Sequence, residues 1–131
     1  MEKIKILLID HEEDFKKKLS ERIKSRVLEL DVAVNREQAL ELVVNVKPDV
    51  MILNPKTAGN DCMELLWEVK TTFPDIQVII LSRHYSIKNR MEALVAGAYR
   101  LFKEPVDIDD LINTIIQAYK ERSINNYISS K

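Results

Sequence analysis

The 131-residue sequence has one cysteine, Cys62, and two glycines, Gly59 and Gly97. A lone thiol forms no internal disulfide and no Cys-cluster zinc site. Two glycines so far apart cannot build a Gly-rich phosphate loop, which excludes Walker-type and dinucleotide-binding fingerprints. The chain also lacks an excess of charge. Twenty Lys and Arg stand against twenty-one Asp and Glu, for a net charge of −1. This argues against a strongly basic nucleic-acid binder. No apolar run approaches the roughly 20 residues of a membrane span. The first ten residues lack the long apolar stretch and small-residue cleavage site of a secretory signal. The expected location is cytoplasmic.

What is present is an ordinary globular composition, 46% apolar and 31% charged, long enough for one core. Short apolar runs alternate with helix-like segments. Ile4 to Ile9, Val50 to Leu53 and Val78 to Leu81 are too continuous for half-exposed strands. They read as strands buried on both faces. Leu28 to Val34 reads as a second strand at an edge, and Leu101–Phe102 as a short last strand. Phe15, Leu19, Ile23 and Val27 recur at helical spacing. Asn35 and Gln38 fit a capping box for a second helix, which Pro48 stops. Pro55 to Asp61 reads as a loop and Met63 to Thr71 as a third helix. Ser86 caps a fourth helix, 87–96, with Gly97 at its end. Asp107 caps a last helix carrying Ile108, Leu111, Ile112, Ile115 and Tyr119 on one side. Residues 123–131 read as a polar, frayed tail after a domain at 1–122.

Five β-then-α units predict an α/β fold, a doubly wound parallel sheet with helices on both faces. In such sheets ligands bind outside the carboxyl ends of the strands. That rule selects Asp10 to Glu13, Asn54 to Lys56, Ser82 to His84 and Lys103 to Pro105.

At those positions the sequence resembles a response-regulator receiver domain of the chemotaxis-receiver kind. The stretches that carry the likeness are KILLIDHEEDF at 5–15, PDVMILNPKTAGNDCMELL at 48–66, VIILSRH at 78–84 and EALVAGAYRLFKEP at 92–105. The resemblance implies a flavodoxin-like (βα)5 fold with strand order 2-1-3-4-5. It implies phosphoryl transfer from a histidine kinase to an aspartate at the end of the third strand. It further implies an acid pair that holds Mg²⁺, and a hydroxyl and a lysine that contact the phosphoryl oxygens.

Residue by residue, the match is mixed. Asp10 falls on the first acid, and His11 replaces the second. Asn54 falls on the phosphoacceptor. Ser82 keeps the hydroxyl position. Glu104 replaces the lysine, and alternation turns Lys103 to the other face of its strand. Pro48, Asp49, Gly59, Asp61, Gly97, Ala98 and Pro105 fit the scaffold, whereas Ala58 and Cys62 depart from it.

An amide cannot form an acyl phosphate, so Asn54 predicts a pseudo-receiver. Asp10 remains as a weak metal candidate. Because Mg²⁺ prefers hard carboxylate oxygens, its binding is expected to be weak, and no other cofactor is implied. Arg83 is expected to pair with Asp10 or Glu104 across the vestigial pocket of Asp10, His11, Ser82, Arg83 and Glu104. Phe102 is expected in the core and Cys62 to be structural. Lys16 to Lys18 read as a solvated helix face.

The chain is therefore not expected to be an enzyme. It is expected to act by protein–protein contact with a histidine kinase, an output protein or a second copy. The face of the fourth helix, fifth strand and fifth helix supplies Lys88, Arg90, Met91, Arg100 and Tyr119, with Trp67 as a further candidate anchor. No nucleic-acid or membrane contact is expected of this domain. Two alternatives stand: an active receiver phosphorylated at a displaced aspartate, Asp61 or Asp10, or the receiver fragment of a longer transcriptional regulator.

Overall fold

Alternation along each strand explains the continuous apolar runs. In the computed structural model, which describes residues 3–23, 28–58, 62–84 and 86–129, five parallel strands are ordered β2-β1-β3-β4-β5. They are β1 (Ile4–Ile9), β2 (Leu28–Ala33), β3 (Val50–Leu53), β4 (Gln77–Ser82) and β5 (Arg100–Lys103). Leu7, Ile9, Met51, Leu53, Val78, Ile80 and Leu101 point into one core layer. Their neighbours Ile6, Leu8, Val50, Ile52, Ile79, Leu81 and Phe102 point into the other. A sheet covered on both faces requires both sets to be apolar.

The first layer is closed by α2 (Arg36–Val46), α4 (Cys62–Thr72) and α5 (Ile87–Val95). The second is closed by α1 (Glu13–Ile23) and α6 (Ile108–Ser129). Arg22 ties α1 to α6 with a two-pronged bond to Asp109, at 3.0 and 2.7 Å. Among the described residues no helix is long and apolar enough to cross a membrane.

The predicted caps are in place. Asn35 Oδ1 accepts from Gln38 N, and Gln38 Oε1 accepts from Val34 N. Ser86 Oγ accepts from Asn89 N and Asp107 Oδ1 from Asp110 N. Lys47, in a left-handed conformation, ends α2 just before Pro48. Gly97 sits at φ 108°, and a Cβ there would lie 2.9 Å from Lys70 Cγ. Lys70 has little room to yield, because its Nζ donates to the carbonyls of Pro74 and Ile76 at 2.7 Å each.

Several sequence expectations need correction. Pro55–Ala58 form a one-turn helix, α3, rather than a loop. The helix expected to end before residue 123 continues to Ser129. Cys62, Leu65, Leu66 and Val69 form the buried stripe of α4. Met63, beside that stripe, is exposed. Val27, Gly59 and Asp61 lie outside the described residues.

Candidate functional site

The sheet brings its carboxyl ends together through bonds that extend the strand ladders by one residue. Asp10 N donates to Ala33 O, Asn54 N to Ile9 O and Glu104 N to Ser82 O. Asp10 and Asn54 therefore emerge side by side from neighbouring central strands, 2% and 3% exposed.

Each of three strand-end side chains is engaged by its own loop. Asp10 Oδ1 accepts from Glu12 N at 2.8 Å. Asn54 Oδ1 accepts from Lys56 N at 3.0 Å. Ser82 Oγ accepts from His84 N at 3.1 Å. All three are bonds to the N–H two residues on, the turn-forming habit of short polar side chains. The two buried groups then meet: Asn54 Nδ2 donates to Asp10 Oδ2 at 3.2 Å. Both carboxylate oxygens of Asp10 and both ends of the Asn54 amide are thereby used.

Glu104 stands on the opposite wall, with its side chain 16% exposed. Its carboxyl is held above the ordinary range, first by burial and then by the negative charges of Glu12 and Asp10. Arg83 and Lys56 oppose that rise. Arg83 lies between two acids, 3.4 Å from Glu12 and 4.0 Å from Glu104. Of the two expected partners, Arg83 meets Glu104; Asp10 is already spent on Asn54 and Glu12 N, and Glu12 takes its place. The cleft here measures about 480 Å³, and Asp10, Glu12, Asp14, Glu104, Arg83 and Lys18 give it its charge. His11 is exposed and outside that wall. Glu12 lies in the stretch that the strand-end rule selects, but its pairing with Arg83 is what sequence reasoning missed. The signal available was only its place two residues after Asp10.

The described residues do not fit Mg²⁺. A hard octahedral cation needs several free oxygen donors. Here each oxygen of the buried Asp10 carboxylate already accepts a hydrogen bond, and its neighbour is an amide that donates to it. Among the described residues no cluster of three or more metal-ligating side chains is formed.

The remaining candidates separate. Lys88, Arg90, Met91 and Arg100 are exposed on α5 and β5. Tyr119 is half-buried against the second core layer, so it does not belong to that exposed face. Asn113 and Gln117 of α6 take its place beside β5. Trp67 is 61% exposed on α4, outside that face. Phe102 is buried, with the Arg100 guanidinium 4.2 Å from its ring centre. Cys62 is buried, and burial pushes its thiol up to about 11. That is an inert thiol rather than a nucleophile.

Comparison with known proteins agrees with this fold. Sporulation initiation phosphotransferase F of Bacillus subtilis is 30% identical over 111 residues, covering 85% of this chain and 90% of that protein. A putative response regulator, NtrX-like, of Rickettsia typhi is 30% identical over 114 residues. The match covers 86% of this chain but 24% of the Rickettsia protein, so the chain spans about a quarter of that longer relative. The signal receiver domain of a putative Luxo repressor protein from Vibrio parahaemolyticus superposes with a TM-score of 0.87. At 17% identity, with 96% of this chain and 97% of that one covered, it shares the fold. The family model described as response regulator receiver domain matches residues 6–116. The chain belongs to that family: it is a receiver domain of a two-component response regulator.

Proposed function

We propose that this receiver takes no phosphoryl group at the usual strand-end position and works as a protein-interaction module. The observation that carries the reading is Asn54. Its amide is a poor nucleophile, and its Nδ2 donates to the buried Asp10 carboxylate. Glu104 adds a second objection, since it sets a carboxyl where a phosphoryl group would need a cation. Mg²⁺ binds weakly or not at all, the module is not itself an enzyme, and its place is the cytoplasm. Its partner is a signalling protein, a histidine kinase or an output protein.

Incubation with acetyl phosphate and Mg²⁺, followed by intact mass, tests this. The expected spectrum is unchanged. A phosphoryl adduct lost on Asn54 substitution overturns the reading. An adduct that survives in Asn54→Ala and is lost in Asp61→Ala instead establishes a displaced acceptor.

A further inference from the structure

Trp67 is the only tryptophan of the chain, and it faces outward. It stands 61% exposed in the middle of α4, and Met63, one turn earlier, is 38% exposed. The helix seats itself on the sheet through Cys62, Leu65, Leu66 and Val69, so the core has little use for Trp67. Residues four apart lie on one row of a helix, which sets Met63 and Trp67 side by side. Tryptophan is among the residue types most enriched at the energetic centres of interfaces. On a formed helix it is also held ready, which lowers the ordering cost of binding.

One border of that row is acidic. Glu64 and Glu68 form the next row of α4 and share the Arg36 guanidinium, at 3.5 and 2.8 Å. Those ion pairs hold the start of α2 beside α4. Glu37 and Glu41, both exposed, follow Arg36 on α2. The exposed sides of the two helices thus carry Glu37, Glu41, Glu64 and Glu68 against the cations Arg36 and Lys70. Arg36 is already shared by two carboxylates, and the Lys70 ammonium donates to the carbonyls of Pro74 and Ile76. The surface beside the indole therefore has negative charge to spare.

We propose that Trp67 and Met63 anchor a basic amphipathic helix of another protein, one whose apolar residues are bordered by Lys and Arg. The proposal rests on the interaction-module reading and gives it a surface apart from α5, β5 and α6. The indole supplies the apolar hold, and the acids set the charge of the partner. The same acids repel nucleic acid and anionic lipid. A second copy is the poorer occupant. Antiparallel two-fold packing of α4 on itself sets the acidic row of one copy against that of the other.

The test uses the full chain and two designed helical peptides that contain no tryptophan. They share one apolar stripe, bordered by Lys in one and by Glu in the other. Trp67 emission then reports on the site alone, and calorimetry gives the affinity. The Lys-bordered peptide is expected to move the emission saturably to shorter wavelength and to bind at least about tenfold more tightly. Rising salt weakens it. Trp67→Ala, read by calorimetry, and Glu64→Lys are each expected to weaken it about tenfold, with the denaturation midpoint nearly unchanged because both positions are exposed. Equal binding of the two peptides, binding of neither, binding that leaves Trp67 emission unmoved, or an emission shift that grows with protein concentration in the absence of peptide overturns the proposal. A phosphoryl adduct with acetyl phosphate overturns the chemical reading instead, and leaves the peptide result standing.

Discussion

Asn54 Nδ2 donates to Asp10 Oδ2 across 3.2 Å, and both residues are almost fully buried. The bond joins an amide at the acceptor position to a carboxylate that would otherwise serve a metal. It satisfies a charge that would be costly to bury alone. Substitution of Asn54 therefore disturbs stability as well as chemistry. Asn54→Asp sets two carboxylates against each other and removes the donor. The loss is expected at about 1–3 kcal/mol at neutral pH, smaller at acid pH where one carboxyl takes a proton. Thermal unfolding at the two pH values checks this. Restored phosphorylation is not expected from this change alone, because Glu104 and His11 remain.

The raised carboxyl of Glu104 gives a signed pH dependence. The folded state holds this proton to higher pH than the unfolded chain does. Its contribution to stability is therefore present below the ordinary carboxylate range and is lost as pH rises through the folded value. Glu104→Gln keeps the neutral shape at every pH. The variant is expected to be more stable than wild type at pH 7, by roughly 0.5–1 kcal/mol. The difference should vanish toward acid, as denaturant midpoints across pH can show.

Arg83 pulls the other way on the same group. Its guanidinium lowers the carboxyl of Glu104. It is 63% exposed, so its ion pairs add about 1 kcal/mol at most. Arg83→Ala is expected to leave the melting temperature nearly unchanged and to move the Glu104 titration further upward. Carboxyl carbon NMR of the two proteins measures that shift.

Gly97 makes a prediction about the scaffold. Its φ of 108° disfavours any side chain, and a Cβ would press on Lys70 Cγ at 2.9 Å. Gly97→Ala is expected to cost about 1–3 kcal/mol through backbone strain alone. Chemical denaturation should show a lower midpoint with an unchanged slope.

The strands are legible in the sequence because a sheet covered on both faces demands runs such as Val50 to Leu53. The caps at Asn35, Ser86 and Asp107 are legible because the bond is local. Helix α3 is not, since four residues beginning at Pro55 carry no period. The far end of α6 is not either, because polar residues there read equally well as a tail. Asp10, Asn54, Ser82 and Glu104 are found by the strand-end rule. The Glu12–Arg83 pair is not, because it joins loops 71 positions apart and depends on Asp10 being occupied.

The most direct test of the proposal that the pocket takes no phosphoryl group is beryllofluoride, a stable phosphoryl mimic, added with Mg²⁺ and followed by amide NMR. The predicted spectrum shows no saturable shift at Asp10, Asn54, Ser82 or Glu104. Saturable shifts at those four amides, abolished by substitution of Asn54, would contradict it.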